Sequence, residues 1–156
     1  MLKNGVIEKL NSPCAFNVIV VGTKDDIGEG MNRLCVNYEL LNKIIIPNRY
    51  PLPNINETCS RFWESRWFTS FDLALAYWQV RFRKQDMEKM VFLIRTGQYQ
   101  FRVIPFRLCN ASATFQRLMN KVLRKYLEKF VEVYLNDVII HFRIKKKHIK
   151  YVRAVL

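Results

Sequence analysis

Two acidic side chains stand where predicted β-strands end, and both could take part in metal chemistry. In FVEVYLNDVII, residues 130–140, alternating apolar positions predict two strands that meet at a tight turn over Asn136-Asp137. Asp72 follows the aromatic-rich run 67–71, which is typical of a buried strand. Because a lone carboxylate is costly to bury, we expect each one to be exposed or to bind an ion.

Carboxylates on neighbouring strand ends are hard oxygen ligands, which Mg²⁺ binds together with substrate phosphates. A simpler interpretation of Asn136-Asp137 is turn chemistry alone, because both side chains tolerate positive φ and bond to nearby backbone. The hairpin by itself leaves both interpretations open. A second carboxylate at a strand end, Asp72, favours a metal site if the two strands lie side by side in one sheet.

Several stretches together resemble the reverse transcriptases of gypsy-type long-terminal-repeat retrotransposons. YLND at 134–137 resembles their Tyr-x-Asp-Asp signature, and FTSFDLALAYWQV at 68–80 resembles their first catalytic motif. VIPFRLCNASATFQRLMNKVL at 103–123 resembles their Pro-Phe-Gly-Leu-x-Asn-Ala-Pro-x-Thr-Phe-Gln block. Upstream, NSPCAFNVIVV, RLCVNYELLN and IPNRYPLPNI are similar to their fingers segments, so the resemblance covers essentially all 156 residues.

The resemblance implies an α+β fold, with a polymerase palm whose antiparallel sheet is backed by helices. It implies part of the fingers and no thumb. Residues 1–156 would form a single reverse transcriptase domain fragment, with the fingers portion at about 14–60 and the palm portion at 61–156. Both ends match the interior of the family's chains, so we expect truncation at each end and a missing remainder of a polyprotein.

The implied activity is template-directed DNA synthesis on an RNA or DNA template with two Mg²⁺ ions, for which Mn²⁺ can substitute. The implied partners are an RNA/DNA primer-template and a deoxynucleoside triphosphate (dNTP), with no membrane. The implied metal ligands are Asp72, Asp137 and the Leu73 backbone, with Asn136 in place of a catalytic Asp. The implied nucleotide-binding residues are Lys24, Arg33, Tyr77, Phe106 and Arg107. Tyr134 and Leu135 would form the structural hairpin.

Three departures from the family's pattern bear on this activity. Asn136 replaces the first Asp of the hairpin pair, Arg107 replaces the Gly after Pro-Phe, and Ser112 replaces a Pro. A neutral amide holds a metal ion less tightly than a carboxylate, and an Arg side chain takes up room beside the incoming nucleotide. We therefore expect impaired polymerase activity; the alternative is a catalytically silent retrotransposon remnant that binds nucleic acid non-specifically.

We expect the fold to tolerate the replacements. Asn136 is predicted on a solvent-facing turn, and Ser112 or Thr114 can cap the helix that follows. That helix is predicted over 114–127, because Phe115, Met119 and similar apolar residues recur every three or four positions while residues such as Gln116 take the polar face.

Composition narrows the class of protein further. An apolar fraction of 50% excludes a disordered chain, and 26 Lys and Arg against 13 Asp and Glu give a net charge of +13 that predicts a polyanionic partner. A basic binding protein without polymerase ancestry is a third hypothesis, against which the ordered motifs argue. With no secretory signal and no apolar run near 18 residues, we expect an intracellular location, in the cytoplasm or nucleus.

The remaining segments give local expectations. Residues 16–21 and 33–38 are predicted as the strands of a fingers hairpin with a mobile tip, and 54–62 and the basic tail as helices. The four cysteines have no zinc-knuckle spacing and are predicted as reduced, largely buried thiols. His141 and His148 are predicted as surface residues.

Overall fold

The computed structural model describes residues 1–24 and 30–156, with the side chains at 23–24 and 30–33 left undescribed. The strands are β1 (Ile7–Lys9), β2 (Phe16–Lys24), β3 (Gly30–Val36), β4 (Trp67–Asp72), β5 (Val91–Ile94), β6 (Gly97–Phe101), β7 (Val131–Tyr134) and β8 (Asp137–Phe142). The helices are α1 (Glu39–Ile44), α2 (Ile55–Arg61), α3 (Lys84–Met87), α4 (Ala111–Val122) and α5 (Lys145–Val155). None of the described helices is long and apolar enough to cross a membrane. The residues group into two compact units, 1–47 with 77–111 and 48–76 with 112–156.

The first unit is built on a five-stranded sheet in the order β1-β6-β5-β2-β3. Neighbouring strands are antiparallel except for β2 and β5, which are parallel. Its core is aromatic and aliphatic: Val6, Ile7, Val36, Tyr38, Leu41, Met90, Phe92, Tyr99, Phe101 and Val103. The Tyr38 hydroxyl donates a hydrogen bond of 3.1 Å to the Met90 carbonyl, and burial raises the pKa of this phenol.

The β2–β3 hairpin confirms the predicted strand pair, although both strands are longer at the tip than expected. Their ladder runs from Val18 opposite Val36 to Lys24 opposite Gly30. The predicted mobile tip lies outside the described residues.

The second unit holds a three-stranded antiparallel sheet in the order β4-β8-β7. Its core is Leu123, Phe130, Val131, Val133, Val138 and Ile140. Met119 of α4 and Tyr151, Val152 and Val155 of α5 pack against this core, so both helices back the sheet. Together the two units confirm the predicted α+β class.

Some predicted boundaries in the second unit are wrong by a few residues. The helix α4 begins at Ala111 and ends at Val122, so Ser112 lies inside its first turn and not at its cap, and residues 123–127 lie beyond its end. The hairpin loop is Leu135-Asn136, because Tyr134 pairs with Asp137. The helix at 54–62 is confirmed as α2, with Asn54 Oδ1 accepting a hydrogen bond of 3.0 Å from the Asn56 amide.

The predictions for histidine and cysteine side chains are mostly wrong. His141 and His148 are both 5% exposed, because β8 and the first turns of α5 turn them toward hydroxyl partners within the unit. His141 Nδ1 lies 2.8 Å from Ser65 Oγ, and His148 Nε2 lies 2.7 Å from Thr69 Oγ1. The cysteines are free as predicted, but Cys14, Cys59 and Cys109 are exposed and only Cys35 is half-buried.

Candidate active site

The two carboxylates singled out in the sequence lie directly opposite each other. The antiparallel β4–β8 ladder begins with Trp67 opposite Phe142 and ends with Asp72 opposite Asp137. Residues that face each other in such a ladder have Cβ atoms about 4.5–5.5 Å apart. Both aspartates are exposed. The prediction that Asp72 and Asp137 occupy adjacent strand ends is therefore confirmed.

The loop that carries Asn136 has an uncommon backbone conformation. Leu135, the first residue of this two-residue loop, has φ +55°, whereas Asn136 does not have a positive φ. The first position of that loop favours glycine, so a leucine there costs about 1–2 kcal/mol. Other contacts must hold this conformation in place.

Gln116 of α4 supplies those contacts. It is completely buried, and its Oε1 accepts a hydrogen bond of 2.7 Å from the Leu135 amide. Its Nε2 lies 3.0 Å from the Val133 carbonyl oxygen and 2.9 Å from Asn120 Oδ1, and donates to both. One side chain thus joins the helix to the last residues of β7 and to the loop.

The assignment of Gln116 to the polar face of its helix is wrong. Gln116 lies three positions before Met119 and seven before Leu123, a spacing that places all three on one helical face. Met119 and Leu123 belong to the core, so their spacing was the signal that could have identified Gln116 as buried.

Asn136 is half-buried, whereas a solvent-facing position was predicted. Its backbone carbonyl accepts a hydrogen bond of 3.0 Å from the Leu73 amide, which ties the hairpin loop to the residue after Asp72. Its Oδ1 is buried and has no hydrogen-bond partner among the described residues. Buried amide oxygens normally have a partner, so this one is available to a water molecule or a cation.

The donor set at this end of the sheet suits a hard cation. Asp72 and Asp137 offer carboxylate oxygens, and Asn136 offers the unpartnered amide oxygen. No cluster of three or more His, Cys, Asp or Glu side chains that could hold a metal ion occurs in the described part of the chain. These residues therefore fit a Mg²⁺ ion that completes its coordination with water and phosphate, and they do not form an all-protein cage.

Two buried ionisable side chains lie elsewhere in the same three-stranded sheet. Glu132 of β7 is 4% exposed, and its Oε2 lies 2.9 Å from Arg61 Nη1. Burial raises the pKa of the Glu132 carboxyl, and Arg61 opposes that shift. Burial also lowers the pKa of His141, assisted by the nearby charges of His148 and Arg61.

All five predicted nucleotide-binding residues belong to the first unit, and three of them lie close together. Tyr77 and Phe106 meet edge to face with ring centroids 5.9 Å apart, and Trp78 lies 6.0 Å from the same Phe106 ring. Arg107 follows them and is exposed, with φ +68°. Tyr77, Phe106 and Arg107 are thus neighbours.

The side chain of Asn42, in α1, makes two hydrogen bonds to the backbone of the loop around Arg107. Asn42 Nδ2 donates a hydrogen bond of 2.8 Å to the Arg107 carbonyl, and Asn42 Oδ1 accepts one of 2.9 Å from the Cys109 amide. A left-handed backbone is natural for glycine, which the resemblance places at this position. Arg107 therefore has a positive φ, which glycine would adopt without strain.

Lys24 and Arg33 lie on β2 and β3 by their backbone pairing, opposite Gly30 and Val21. Their side chains fall outside the described part of the structure. Among the other predicted site residues, Asp72, Leu73, Tyr134, Leu135, Asn136 and Asp137 belong to the second unit, and Tyr77, Phe106 and Arg107 belong to the first.

The sequence profile of the family described as "Reverse transcriptase (RNA-dependent DNA polymerase)" matches residues 23–156. This chain belongs to the reverse transcriptase family. It is 44% identical over 126 residues to an RNA-directed DNA polymerase homolog of Oenothera berteroana, which covers 79% of this chain and 89% of that protein. The retrotransposon resemblance is confirmed by the Pol polyproteins of the Drosophila melanogaster transposons 297 and gypsy, at 38% and 36% identity. The reverse transcriptase chain spans 15% of the length of each polyprotein.

Solved structures agree with the fold of this reverse transcriptase domain. The foamy viral protease-reverse transcriptase in complex with an RNA/DNA hybrid superposes with a TM-score of 0.83 at 18% identity, covering 99% of this chain and 20% of that chain. The native prototype foamy virus enzyme gives a TM-score of 0.78 at 23% identity, with the same coverage of both chains. At these identities the likeness shows the fold alone.

Proposed function

We propose that this reverse transcriptase domain carries an RNA-directed DNA polymerase site whose chemistry is weakened by Asn136 and Arg107. The observation that carries the proposal is the pairing of Asp72 with Asp137 at the end of the β4–β8 ladder. Two exposed carboxylates on adjacent strand ends repel each other unless a cation lies between them. The assignment of residues 14–60 to fingers and 61–156 to palm belongs to the same proposal.

The proposed metal ligands are the Asp72 and Asp137 carboxylates, the Leu73 carbonyl and the Asn136 amide oxygen. The family generally uses divalent metal ions. When bound, two Mg²⁺ ions, or Mn²⁺ in their place, neutralise phosphate charge and activate the primer 3′-hydroxyl. The hydrogen bond from the Leu73 amide to the Asn136 carbonyl fixes the register between the two ligand-bearing segments.

Asn136 weakens this site because its amide oxygen carries no net charge. A carboxylate at the same position would both attract the cation and accept a second hydrogen bond or ligand contact. We expect a rate about a thousandfold below that of a site with three carboxylates, which corresponds to ~4 kcal/mol of lost transition-state stabilisation. Binding of nucleic acid does not depend on this ligand.

The nucleotide-binding group consists of Tyr77 and Phe106 as a pair of rings for the sugar and base. Arg107 borders them, where its side chain takes room that glycine would leave open. We assign the triphosphate to Lys24 and Arg33, because ammonium and guanidinium groups donate charge-assisted hydrogen bonds to phosphate oxygens.

The proposed partners are an RNA/DNA primer-template and a dNTP. The net charge of +13 supports binding that is electrostatic and largely blind to sequence. Affinity for a primer-template should therefore fall steeply as salt is added. The alternative function, a catalytically silent remnant that binds nucleic acid, shares this behaviour and differs only in chemistry.

Primer extension on poly(rA)/oligo(dT), with Mg²⁺ and with Mn²⁺, tests the proposal. The protein is compared with its Asp72→Ala variant, and primer-template binding is measured in parallel at several salt concentrations. Extension that depends on Asp72 supports the polymerase site. Binding that is retained with no extension by the chain or by its Asn136→Asp, Arg107→Gly variant supports the silent remnant.

A further inference from the structure

The end of the β4–β8 ladder opposite the carboxylate pair exposes two tryptophans. Trp67 pairs with Phe142 there, five residue pairs from Asp72 and Asp137. At ~3.3 Å per residue this separates the two ends by about 17 Å. Trp63 is 88% exposed and Trp67 is 41% exposed. Tryptophan is mostly buried in folded proteins, so an almost fully exposed indole needs an explanation.

Arginines accompany the exposed Trp63. Arg66, Arg143 and Trp63 line the same surface cleft, together with Ser65 and Glu64. The Arg66 amide donates a hydrogen bond of 3.2 Å to the Phe142 carbonyl, which fixes this segment against β8. Glu64 is the acidic side chain of the cleft, and its oxygen lies 3.9 Å from Arg143 in an exposed pair. Such a pair leaves most of the positive potential uncompensated.

Lysines at the start of α5 add further charge. Lys145 Nζ lies 4.8 Å from the centre of the Trp67 ring, and Lys147 Nζ lies 5.9 Å from the centre of the Phe142 ring. The first turn of α5 contains no acidic residue. A helix N-terminus itself carries about half a positive charge, so lysines placed there are repelled by the helix and attract an anion.

We propose that this surface binds single-stranded nucleic acid. The Trp63 surface is defined as Trp63, Arg66 and Arg143 of the cleft together with Trp67, Lys145 and Lys147, which lie at the same end of the ladder. Exposed indole rings offer faces on which unpaired bases stack regardless of sequence, and the surrounding cations contact the phosphates. The surface lies at the opposite end of the ladder from Asp72 and Asp137, so this binding does not depend on the proposed polymerase chemistry.

Charge selects nucleic acid over a second copy of this chain. A copy with a net charge of +13 would bring further positive charge to Arg66 and Arg143, whose cleft has one carboxylate, and to two lysines at the start of α5. A duplex hides its base faces within the stack, whereas a single strand presents both faces and phosphates. The combination of flat aromatic rings with cations therefore matches a single strand.

Tryptophan fluorescence reports on this surface directly, because the chain has three tryptophans and two of them lie in it. The third, Trp78, belongs to the other unit, and its Nε1 is buried. In a Trp78→Phe background, oligo(dT) of about 12 nucleotides, within the ~4–16 nucleotides typical of such sites, should quench the emission on binding.

Three variants in that background separate stacking from charge. Trp63→Ala should reduce both the quench and the affinity, the latter about tenfold, whereas Trp63→Phe should keep most of the affinity. Replacing both arginines, Arg66→Gln with Arg143→Gln, should make the affinity less dependent on salt. The slope of log affinity against log salt concentration should fall by the amount expected for about two phosphate contacts. Trp63 is exposed, so its replacement should leave the far-ultraviolet circular dichroism unchanged.

Primer extension and quenching by oligo(dT), measured on the same variants, distinguish this site from the polymerase site. An unchanged rate of primer extension in Trp63→Ala, together with a reduced quench, supports a separate surface, and the reduced quench supports it even if no variant extends primers. The proposal is overturned if Trp63→Ala binds oligo(dT) as tightly as its parent, or if inorganic polyphosphate produces the same quench. It is also overturned if phosphatidylserine vesicles quench the emission and oligo(dT) does not, or if self-association explains the signal.

Discussion

Asp72 and Asp137 form the last residue pair of the β4–β8 ladder, so two acidic side chains face each other on neighbouring strands. Like charges in this position destabilise an antiparallel sheet by roughly 0.2–1 kcal/mol. The chain retains this cost at an exposed strand end, where other side chains would pair more favourably. A cation bound between the two carboxylates would be attracted to both of them. Metal binding should therefore be measurable as a rise in the free energy of unfolding.

Magnesium should therefore stabilise the protein through this pair. Asp137→Asn removes one charge and should raise the free energy of unfolding without metal by about 0.5 kcal/mol. It should also abolish the rise in melting temperature that Mg²⁺ gives the unchanged protein, because a ligand that binds only the folded state stabilises it. Glu64→Gln, at an exposed glutamate at the other end of the sheet, is the control. If Mg²⁺ raised the melting temperature of Asp137→Asn as much as that of the unchanged protein, the proposed metal site would be wrong.

Arg107→Gly should stabilise the fold although it deletes a whole side chain. Arg107 is exposed and has φ +68°, a conformation that costs a residue with a Cβ about 1–2 kcal/mol. Arg107→Ala is the matched control, since it removes the guanidinium and retains the strain. Urea unfolding should give a gain of about 1 kcal/mol for glycine and little change for alanine. Equal effects of the two substitutions would show that side-chain removal, and not the backbone, is responsible.

Polymerase activity should respond to two substitutions together. Asn136→Asp adds a ligand charge in one unit, and Arg107→Gly restores room beside Tyr77 and Phe106 in the other. Neither change corrects both defects, so the double variant should add more nucleotides to a labelled primer than either single variant. The comparison requires equal amounts of folded protein. If the unchanged protein extends primers as well as the double variant, then Asn136 and Arg107 do not impair the site.

Gln116→Leu should disturb the hairpin loop from within α4. The substitution leaves the Leu135 amide and the Val133 carbonyl without their hydrogen-bond partner, which costs about 1–3 kcal/mol for each buried group that stays unpaired. The left-handed Leu135 then loses the contact that holds it. Lys121→Gln, an exposed position on the same helix, should change the free energy of unfolding by less than about 0.5 kcal/mol. Gln116→Leu should also reduce the rise in melting temperature that Mg²⁺ gives, because the loop carries Asn136. An unaltered rise would show that the loop conformation does not affect metal binding.

Periodicity and motif order were sufficient to predict the strands that carry the aspartates. Alternating apolar residues identify β7 and β8, and the aromatic run before Asp72 identifies β4. The expected burial of β4 is wrong, because all of its residues are exposed or half-buried, and β7 is buried on both faces along Val131–Val133. The loop position was missed by one residue. Asn-Asp is better turn chemistry than Leu-Asn, but Gln116 stabilises Leu135 from a distant helix, and no local rule contains that contact.

The burial of His141 and His148 also could not be predicted from the local sequence. His141 and His148 occur in a basic, polar stretch that resembles a surface, and nothing nearby in the sequence indicates Ser65 and Thr69 as their partners. These pairs span 76 and 79 residues of chain. Burial of a polar side chain depends on a tertiary partner, so local pattern predicts the strand and not the environment of its polar residues.

Mild acid should destabilise the second unit through His141. This side chain is 5% exposed, contacts Ser65 and the Phe62 ring, and faces the charges of His148 and Arg61. These conditions lower its pKa in the folded protein below the ordinary value of 6.5, so the unfolded chain binds the proton first as pH falls. The stability that neutral His141 supplies is present above pH 6.5 and is lost as pH falls through the folded pKa. His141→Gln should reduce the slope of unfolding free energy against pH, by at most about 1.4 kcal/mol per pH unit for one proton.

Glu132 provides a control with the opposite sign. Burial raises the pKa of its carboxyl above the ordinary 4.5, so the folded state holds this proton longer than the unfolded chain. Its contribution to stability is present below pH 4.5 and is lost as pH rises through the folded pKa. Glu132→Gln should therefore steepen the loss of stability on acidification, whereas His141→Gln should flatten it. Urea unfolding of both variants between about pH 4.5 and 7 measures the two slopes, and a change of the same sign in both would contradict the assignment of burial as the cause.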